Sequence, residues 1–391
     1  MLAALRARVV YMLSSLSRRM AWLGAPLRMR LMSTLSSSEA AQSAVVVGPA
    51  VVAARKSLAG LVQMTAVNDR EANFATCSAL VADAAAKGCT IVFLPECFSF
   101  IGAKAGEAQA AAEPLNGPTM AKYCRLAKEH NLWLSLGGFQ ERSADETESR
   151  IYNTHVVVQN TGDIAASYRK IHLFDVPMTG LVESRQALPG DRLVACDSPC
   201  GRLGVTICYD LRFPELYQKL TFMHGAHVLL IPSAFAMKTG EAHWETLLRA
   251  RAIETQTYVV AAAQAGLHNE DGNKRRSWGH AMAIDPWGKV VAHFGAEDTG
   301  LKTFEIDLDL VEATRANMPM HAHRRYDVRA HMPASASRPS PPLSRPQPNA
   351  HIASPSCARA ALSQLYGAGP HQASDYVRAE KPPGDKGLFF G

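Results

Sequence analysis

The sequence lacks long hydrophobic runs. Nowhere do the roughly 18 apolar residues of a membrane span follow one another, although 47% of the 391 residues are hydrophobic. Such a composition implies a large core without a spanning segment, and no membrane partner is expected. Net charge is equally scarce. Arg6, Arg8, Arg18, Arg19, Arg28 and Arg30 all precede the first acid, Glu39, and account for the formal +6; the remainder holds 35 basic and 35 acidic residues. Nucleic-acid binding draws most of its non-specific affinity from clustered Lys and Arg, so no nucleic-acid partner is expected. Cysteine is sparse too: eight residues, at 77, 89, 97, 124, 196, 200, 208 and 357. That is too few for a disulfide framework and suits a reducing compartment. Metal-ligand spacing is missing as well. Cys196-x3-Cys200 followed by Cys208 has no CxxC partner and no His-x3-5-His run, so no metal is expected.

What is present falls into three parts. Residues 1–40 are rich in Arg and Ser, nearly free of acids, and lack a single apolar block ending in a small-residue cleavage site, the pattern of a mitochondrial transit peptide. Met32 offers an internal start, and with it a cytoplasmic form. Residues 56–330 alternate short apolar runs with helical stretches, which one α/β domain accommodates. Residues 331–391, including "PASASRPSPPLSRPQPNAHIASPS", are rich in Pro, Ser and Ala without apolar periodicity. Such a segment buries too little to offset its conformational entropy and is expected to be disordered.

Within the body, strands are expected at 60–67, 90–97, 132–139, 154–160, 202–208, 227–233, 257–264 and 279–285. Their continuous apolar runs bounded by Gly, Pro or Asn suggest sheets covered on both faces. "REANFATCSALVADAAAKG" reads as a helix closed by Gly88, and "GPTMAKYCRLAKEHN" as one opened by Pro118. "IDPWGKVVAHF" reads as a hairpin. In "EAHWETLLRARAIETQ", Trp244, Leu247 and Leu248 form an apolar stripe. Glu245/Arg249 and Arg251/Glu254 have ion-pair spacing on solvated faces.

Chemistry concentrates where charge meets apolar pattern. "TICYDLRFPEL" ends a buried strand at Cys208 and then turns into a helix opened by Pro214 and Glu215. A strand-to-helix turn exposes its residue beside backbone N–H groups and a helix dipole, which favour a thiolate. Read alone, Cys208 is equally a small core residue. "IVFLPECF" ends a strand in Glu96, where desolvation is expected to raise the carboxyl pKa toward that of a general base. "SYRKIHLFD" sets Lys170 between apolar neighbours, where an ammonium must pair. Glu96 and Lys170 fit a buried ion pair without chemistry as readily as a site.

Together and in this order, the PE strand end, YRKIHLF and GVTICYDLRFPEL resemble the Glu, Lys and Cys motifs of the nitrilase superfamily of carbon–nitrogen hydrolases. The resemblance spans residues 58–328, and extends to 232–264 and 277–292, which look most like the branch that cleaves deaminated glutathione rather than the neighbouring ω-amidases. It implies an α/β fold, an αββα four-layer sandwich pairing across a helical face into an eight-layer dimer, or a higher homo-oligomer, with Ala250 and Ala252 allowing close helix approach. It makes Cys208 the nucleophile, Glu96 the general base and acid, and Lys170 the cation near the oxyanion. Glu183, in "LVESR" thirteen residues after Lys170, matches a second glutamate. The loop between them is shorter than in relatives, and the alignment of residues 175–182 is correspondingly open.

The resemblance also implies a small-molecule amide substrate, a γ-linked 2-oxoglutaryl amide cleaved to 2-oxoglutarate and cysteinylglycine, with no cofactor. Tyr209, Arg212 and Phe213 are the candidate substrate contacts, Arg212 as a carboxylate clamp unless it pairs with Asp210 or Glu215. Two alternatives stand beside this reading: an ω-amidase acting on α-ketoglutaramate, and a non-catalytic interaction protein on the same fold. A papain-like protease is not expected, because no such signature flanks Cys208. "HAHRR" at 321–325 is too short for a histidine-triad motif.

Overall fold

The computed structural model describes residues 51–176 and 181–325; the segments expected to be a transit peptide and a disordered tail lie outside the described residues. An eight-stranded sheet is built around β1 (Lys56–Met64), β2 (Ile91–Leu94) and β3 (Trp133–Arg142), which run parallel. The helices α1 (Arg70–Ala86) and α2 (Pro118–Glu129) make the crossovers. Asp69 caps α1 by accepting the Glu71 and Ala72 N–H groups at 2.9 and 3.1 Å. Pro118 opens α2 at its first turn, where its missing donor costs nothing. β4 (Ile151–Val158) and β5 (Ile164–Arg169) extend this sheet antiparallel. A two-stranded ribbon follows, β6 (Asp175–Val176) with β7 (Leu181–Val182).

The second sheet has six strands. It starts with the hairpin of β8 (Val194–Ser198) and β9 (Gly201–Val205), and continues through β10 (Val228–Leu230) and β11 (Tyr258–Ala261). The "TYVVAAAQ" run is not one strand. The chain leaves this sheet after Ala261 and enters the other as β12 (Ala263–Leu267), which pairs with β1 and with β13 (Arg276–Trp278). β14 (Met282–Ile284) and β15 (Val290–His293) form the expected hairpin on the second sheet. β16 (Gly300–Asp307) returns antiparallel to β1. Three further helices are α3 (Pro214–Phe222), α4 (Met237–Thr255) and α5 (Leu308–Asn317).

Alternation along the first sheet divides the core into layers. Ala59, Leu61, Ile91, Phe93, Trp133 and Val157 join Leu203, Val205, Leu229 and Val259 in one cluster between the sheets. The intervening Val62, Met64, Val92, Leu94, Leu134 and Val156 pack outward against Cys77, Val81 and Ala84 of α1 and Met120 and Tyr123 of α2. Leu216, Tyr217 and Leu220 of α3 with Trp244 and Leu248 of α4 are buried with the second sheet. The order is helix, sheet, sheet, helix, the expected αββα sandwich.

One expectation about α4 fails. Arg251 is buried rather than solvated: its Nε and Nη2 donate to the Leu211 carbonyl oxygen at 3.1 and 2.7 Å, while Nη1 pairs with Glu254 at 2.9 Å. Ala252 is fully buried in the core, so within this chain it is not available to an approaching helix. Both residues face inward because α4 closes over the turn that carries Cys208.

Candidate active site

Three segments remote in sequence meet at the sheet ends. β2 stops at Leu94, and a turn with Cys97 in the left-handed region (φ +59°) aims Glu96 inward. That turn is tied by the Cys97 N–H to the Gly138 carbonyl at 2.9 Å and by Gln264 Nε2 to the Glu96 carbonyl at 3.0 Å. Gly138 (φ +93°) is required here, since a Cβ would stand 2.9 Å from Glu96 Cγ and 2.8 Å from Asn153 Oδ1. Lys170 follows the last residue of β5, and its N–H donates to the Asn153 carbonyl at 2.9 Å. Cys208 opens a 3₁₀ turn after β9 with φ +46°, a strained conformation for a side chain with a Cβ. Its N–H is held by the Pro232 carbonyl at 3.0 Å.

Lys170 Nζ lies 3.2 Å from Glu96 Oε1 and 2.9 Å from Glu183 Oε2, with all three side chains largely removed from solvent. Glu183 also accepts the Phe174 N–H at 2.7 Å. The second glutamate is thus beside the lysine despite the short loop. Burial pushes the Lys170 pKa down, but the Glu183 and Glu96 carboxylates outweigh it and hold the ammonium well above its ordinary value.

Two expectations about ionisation are overturned. The Glu96 carboxyl is lowered, not raised. Burial raises it, but Lys170, the Cys208 thiol, Arg275 and Asn153 together win. Asn153 Nδ2 donates to Oε1 at 2.8 Å and the Ala234 N–H to Oε2 at 2.8 Å. Cys208 is 9% exposed rather than presented to solvent. Burial, then the Glu96 charge, push its thiol well above the ordinary value despite the opposing pull of Lys170. The resting state is therefore a neutral thiol in contact with an ionised carboxylate.

The side chains after Cys208 pack against one another and their neighbours. Arg212 makes neither ion pair considered for it: Nη1 lies 3.2 Å from His243 Nδ1, and the guanidinium sits 5.7 Å over Tyr209 and 5.5 Å over Phe235. Tyr209 packs edge-on against Phe174 and Phe213, and Phe213 stacks flat on His172 with ring centroids 3.7 Å apart.

Asp210 has a different role from the one its position suggested. Fully buried, it accepts from Tyr168 Oη at 2.7 Å, the His172 N–H at 3.1 Å and the Ile207 N–H at 3.0 Å, and lies 2.7 Å from His172 Nδ1. It thereby ties the Lys170 segment to the Cys208 turn. Asn153, Ala234 and Asp210 went unnoticed as site residues. Only Asp210 left a signal, an acid two residues after the candidate nucleophile. Cys196 and Cys200 are buried in the β8–β9 hairpin. Among the described residues no cluster of His, Cys, Asp and Glu is arranged to hold a metal ion, and no described helix is long and apolar enough to cross a membrane.

A buried Glu, Lys and Cys brought together at the strand ends of an αββα sandwich fit the class of hydrolases that act on carbon–nitrogen bonds. The chain belongs to the carbon–nitrogen hydrolase family, whose model matches residues 58–316. It is 48% identical over 276 residues to the deaminated glutathione amidase of Bos taurus, covering 69% of this chain and 83% of that protein. The Dictyostelium discoideum deaminated glutathione amidase is 47% identical, with 68% and 94% covered. The crystal structure of the C. elegans NitFhit protein matches with a TM-score of 0.66 and 45% identity, over 71% of this chain and 67% of that one. Saccharomyces cerevisiae Nit3, described as a member of branch 10 of the nitrilase superfamily, matches with a TM-score of 0.61 and 30% identity over 71% and 99%.

Proposed function

We propose that this amidase hydrolyses deaminated glutathione to 2-oxoglutarate and cysteinylglycine through a thioester on Cys208. The observation that carries the reading is the contact of one ionised carboxylate, one ammonium and one neutral thiol, in a chain 46–48% identical to five deaminated glutathione amidases. Glu96 takes the thiol proton as Cys208 Sγ bonds to the amide carbonyl carbon. Negative charge moves to the carbonyl oxygen, where Lys170 and the Tyr209 N–H receive it; that N–H sits in the first turn of its short helix, beyond reach of an intrahelical acceptor. Protonated Glu96 then gives its proton to the nitrogen, the C–N bond breaks and cysteinylglycine leaves. Glu96 next takes a proton from water as that oxygen attacks the thioester, and returns it to the departing thiolate. Glu183 holds Lys170 in place throughout. Arg212, set over the Tyr209 and Phe235 rings, clamps the 2-oxo acid carboxylate.

The test is 2-oxoglutarate release by the full chain, with deaminated glutathione and α-ketoglutaramate offered separately, beside Cys208→Ala. Faster turnover of the peptide amide, lost in the variant, is expected. Preference for α-ketoglutaramate would keep the mechanism and replace the substrate; activity on neither would revive a non-catalytic role.

Two further readings belong to the same proposal. Residues 1–40 direct the protein to mitochondria, with a cytoplasmic pool started at Met32; a fusion of residues 1–40 that stayed diffuse in cells would remove the first. The protein forms a homodimer or higher homo-oligomer through the outward face of α4, where Ala250 is half-exposed and Ile253 is 47% exposed. Sedimentation as a monomer at micromolar concentration would remove the second.

A further inference from the structure

Two guanidinium groups flank the loop after β10. Arg212 sits over the Phe235 ring at 5.5 Å. On the other side Arg275 Nη2 lies 3.5 Å from the Ala234 carbonyl oxygen. The Ala234 N–H donates to Glu96 Oε2 at 2.8 Å, so Arg275 stands one residue's width from the proposed base. Its charge acts on both Glu96 and Cys97.

Arg275 is exposed, yet its backbone is fixed. Asn269 Nδ2 donates to the Ile101 carbonyl at 3.0 Å, and the Asn273 N–H to the Ala103 carbonyl at 2.9 Å. Gly272 (φ +84°) lies so close to Ala103 that a Cβ would stand 2.3 Å from its carbonyl oxygen. The Arg275 N–H donates to Asn273 Oδ1 at 3.0 Å, and its carbonyl accepts the His268 N–H at 3.0 Å. The adjacent Arg276 pairs with Glu297 at 2.5 Å, whereas among the described residues no carboxylate pairs with Arg275. An exposed guanidinium held within reach of Glu96 but paired with no carboxylate among the described residues is preorganised for a ligand's anion.

Deaminated glutathione carries a carboxylate on each side of its scissile amide: the 2-oxo acid on the acyl side, and the glycine carboxylate on the leaving amine. We propose that Arg275 binds the carboxylate of the leaving amine, so that the enzyme selects peptide amides ending in a free carboxylate. The inference rests on the proposed function, which assigns Arg212 to the acyl side. It makes Arg275 a specificity determinant: an amide that releases ammonia has no group for it to hold.

The test compares deaminated glutathione with its C-terminal carboxamide, equal in size but lacking that charge, on the wild-type full chain, Arg275→Ala and Arg275→Lys. Wild type is expected to prefer the free acid by roughly tenfold or more in kcat/KM, mostly through KM. In Arg275→Ala that preference falls to near unity, and Arg275→Lys keeps part of it. A wild type indifferent to the two substrates, or a preference that survives in Arg275→Ala, would overturn the inference alone. So would an equal loss on both substrates through kcat, which would mark a general electrostatic effect on Glu96. A wild type that releases no 2-oxoglutarate from either substrate would overturn the proposed function and this inference with it.

Discussion

Acidification should weaken the protein through His155, and the size of the effect follows from its surroundings. The ring is fully buried between the sheets: Nδ1 lies 2.9 Å from the Thr206 carbonyl oxygen and Nε2 2.7 Å from Ser135 Oγ. A neutral imidazole satisfies both partners by donating to the carbonyl and accepting from the hydroxyl. Burial lowers its pKa to about 4 from an ordinary 6.5. A depressed folded-state pKa gives stability that is present above the unfolded value and lost as pH falls from there toward the folded value, because the unfolded chain takes the proton first. Taking about 1.4 kcal/mol per pKa unit, the loss between pH ~7.5 and pH ~5 is about 2 kcal/mol. His155→Gln supplies a donor and an acceptor without titrating. In urea unfolding across that range, the stability deficit of the variant relative to wild type should shrink by about 2 kcal/mol toward the acid end. A deficit independent of pH would refute the reasoning. Thr206 stands two residues before Cys208, so reversible loss of activity should accompany the wild-type transition.

Replacing Glu96 with Gln removes the negative charge beside a buried thiol while Lys170 stays, so Cys208 should alkylate with iodoacetamide at lower pH than in wild type. Turnover should nevertheless fall by about a thousandfold or more; an unmoved or raised alkylation midpoint would separate Glu96 from the thiol. At Gly137 a Cβ would stand 2.1 Å from Pro232 Cβ and 2.7 Å from the Leu94 carbonyl oxygen. Gly137→Ala should therefore cost about 1–3 kcal/mol and, because the Pro232 carbonyl holds the Cys208 N–H, lower activity as well. An unchanged melting temperature would show that the two sheets give way there.

The sequence made the layers and the three candidate residues Glu96, Lys170 and Cys208 legible because both depend on local contrast. A Glu, a Lys or a Cys at the end of an apolar run stands out from its neighbours. β5, β8, β13, β16 and the β6–β7 ribbon went unread; β16 (GLKTFEID) mixes exposed and buried positions, and its apolar signal is correspondingly thin. The direction of the Glu96 shift failed for a related reason. Burial could be read from "IVFLPECF", but the groups that reverse its effect, Lys170, Cys208, Arg275 and Asn153, are remote in sequence, and the Ala234 N–H that also holds the carboxylate lies 138 residues away. A backbone N–H leaves no mark in sequence at all. Arg251 was misplaced because its spacing to Glu254 fits an exposed pair as well as a buried one, and only the Leu211 carbonyl decides between them.

Burial first, and then the balance of charge, explain why Cys208 rests as a thiol. Within the ion-paired contacts, Glu96 and Glu183 carry two negative charges against the single positive charge of Lys170, a surplus of one that Arg275 acts on from its exposed position outside them. A resting thiolate would add a second in a site closed to water, where separation of charge is costly. In the proposed attack, where the thiol proton passes to Glu96, the carboxylate loses the charge that the substrate oxygen gains. The surplus stays at one and moves from one contact of Lys170 toward another. A high thiol pKa and a low carboxyl pKa, which would each seem to oppose catalysis, are thus the resting form of a site whose charge is transferred only when a carbonyl is there to receive it.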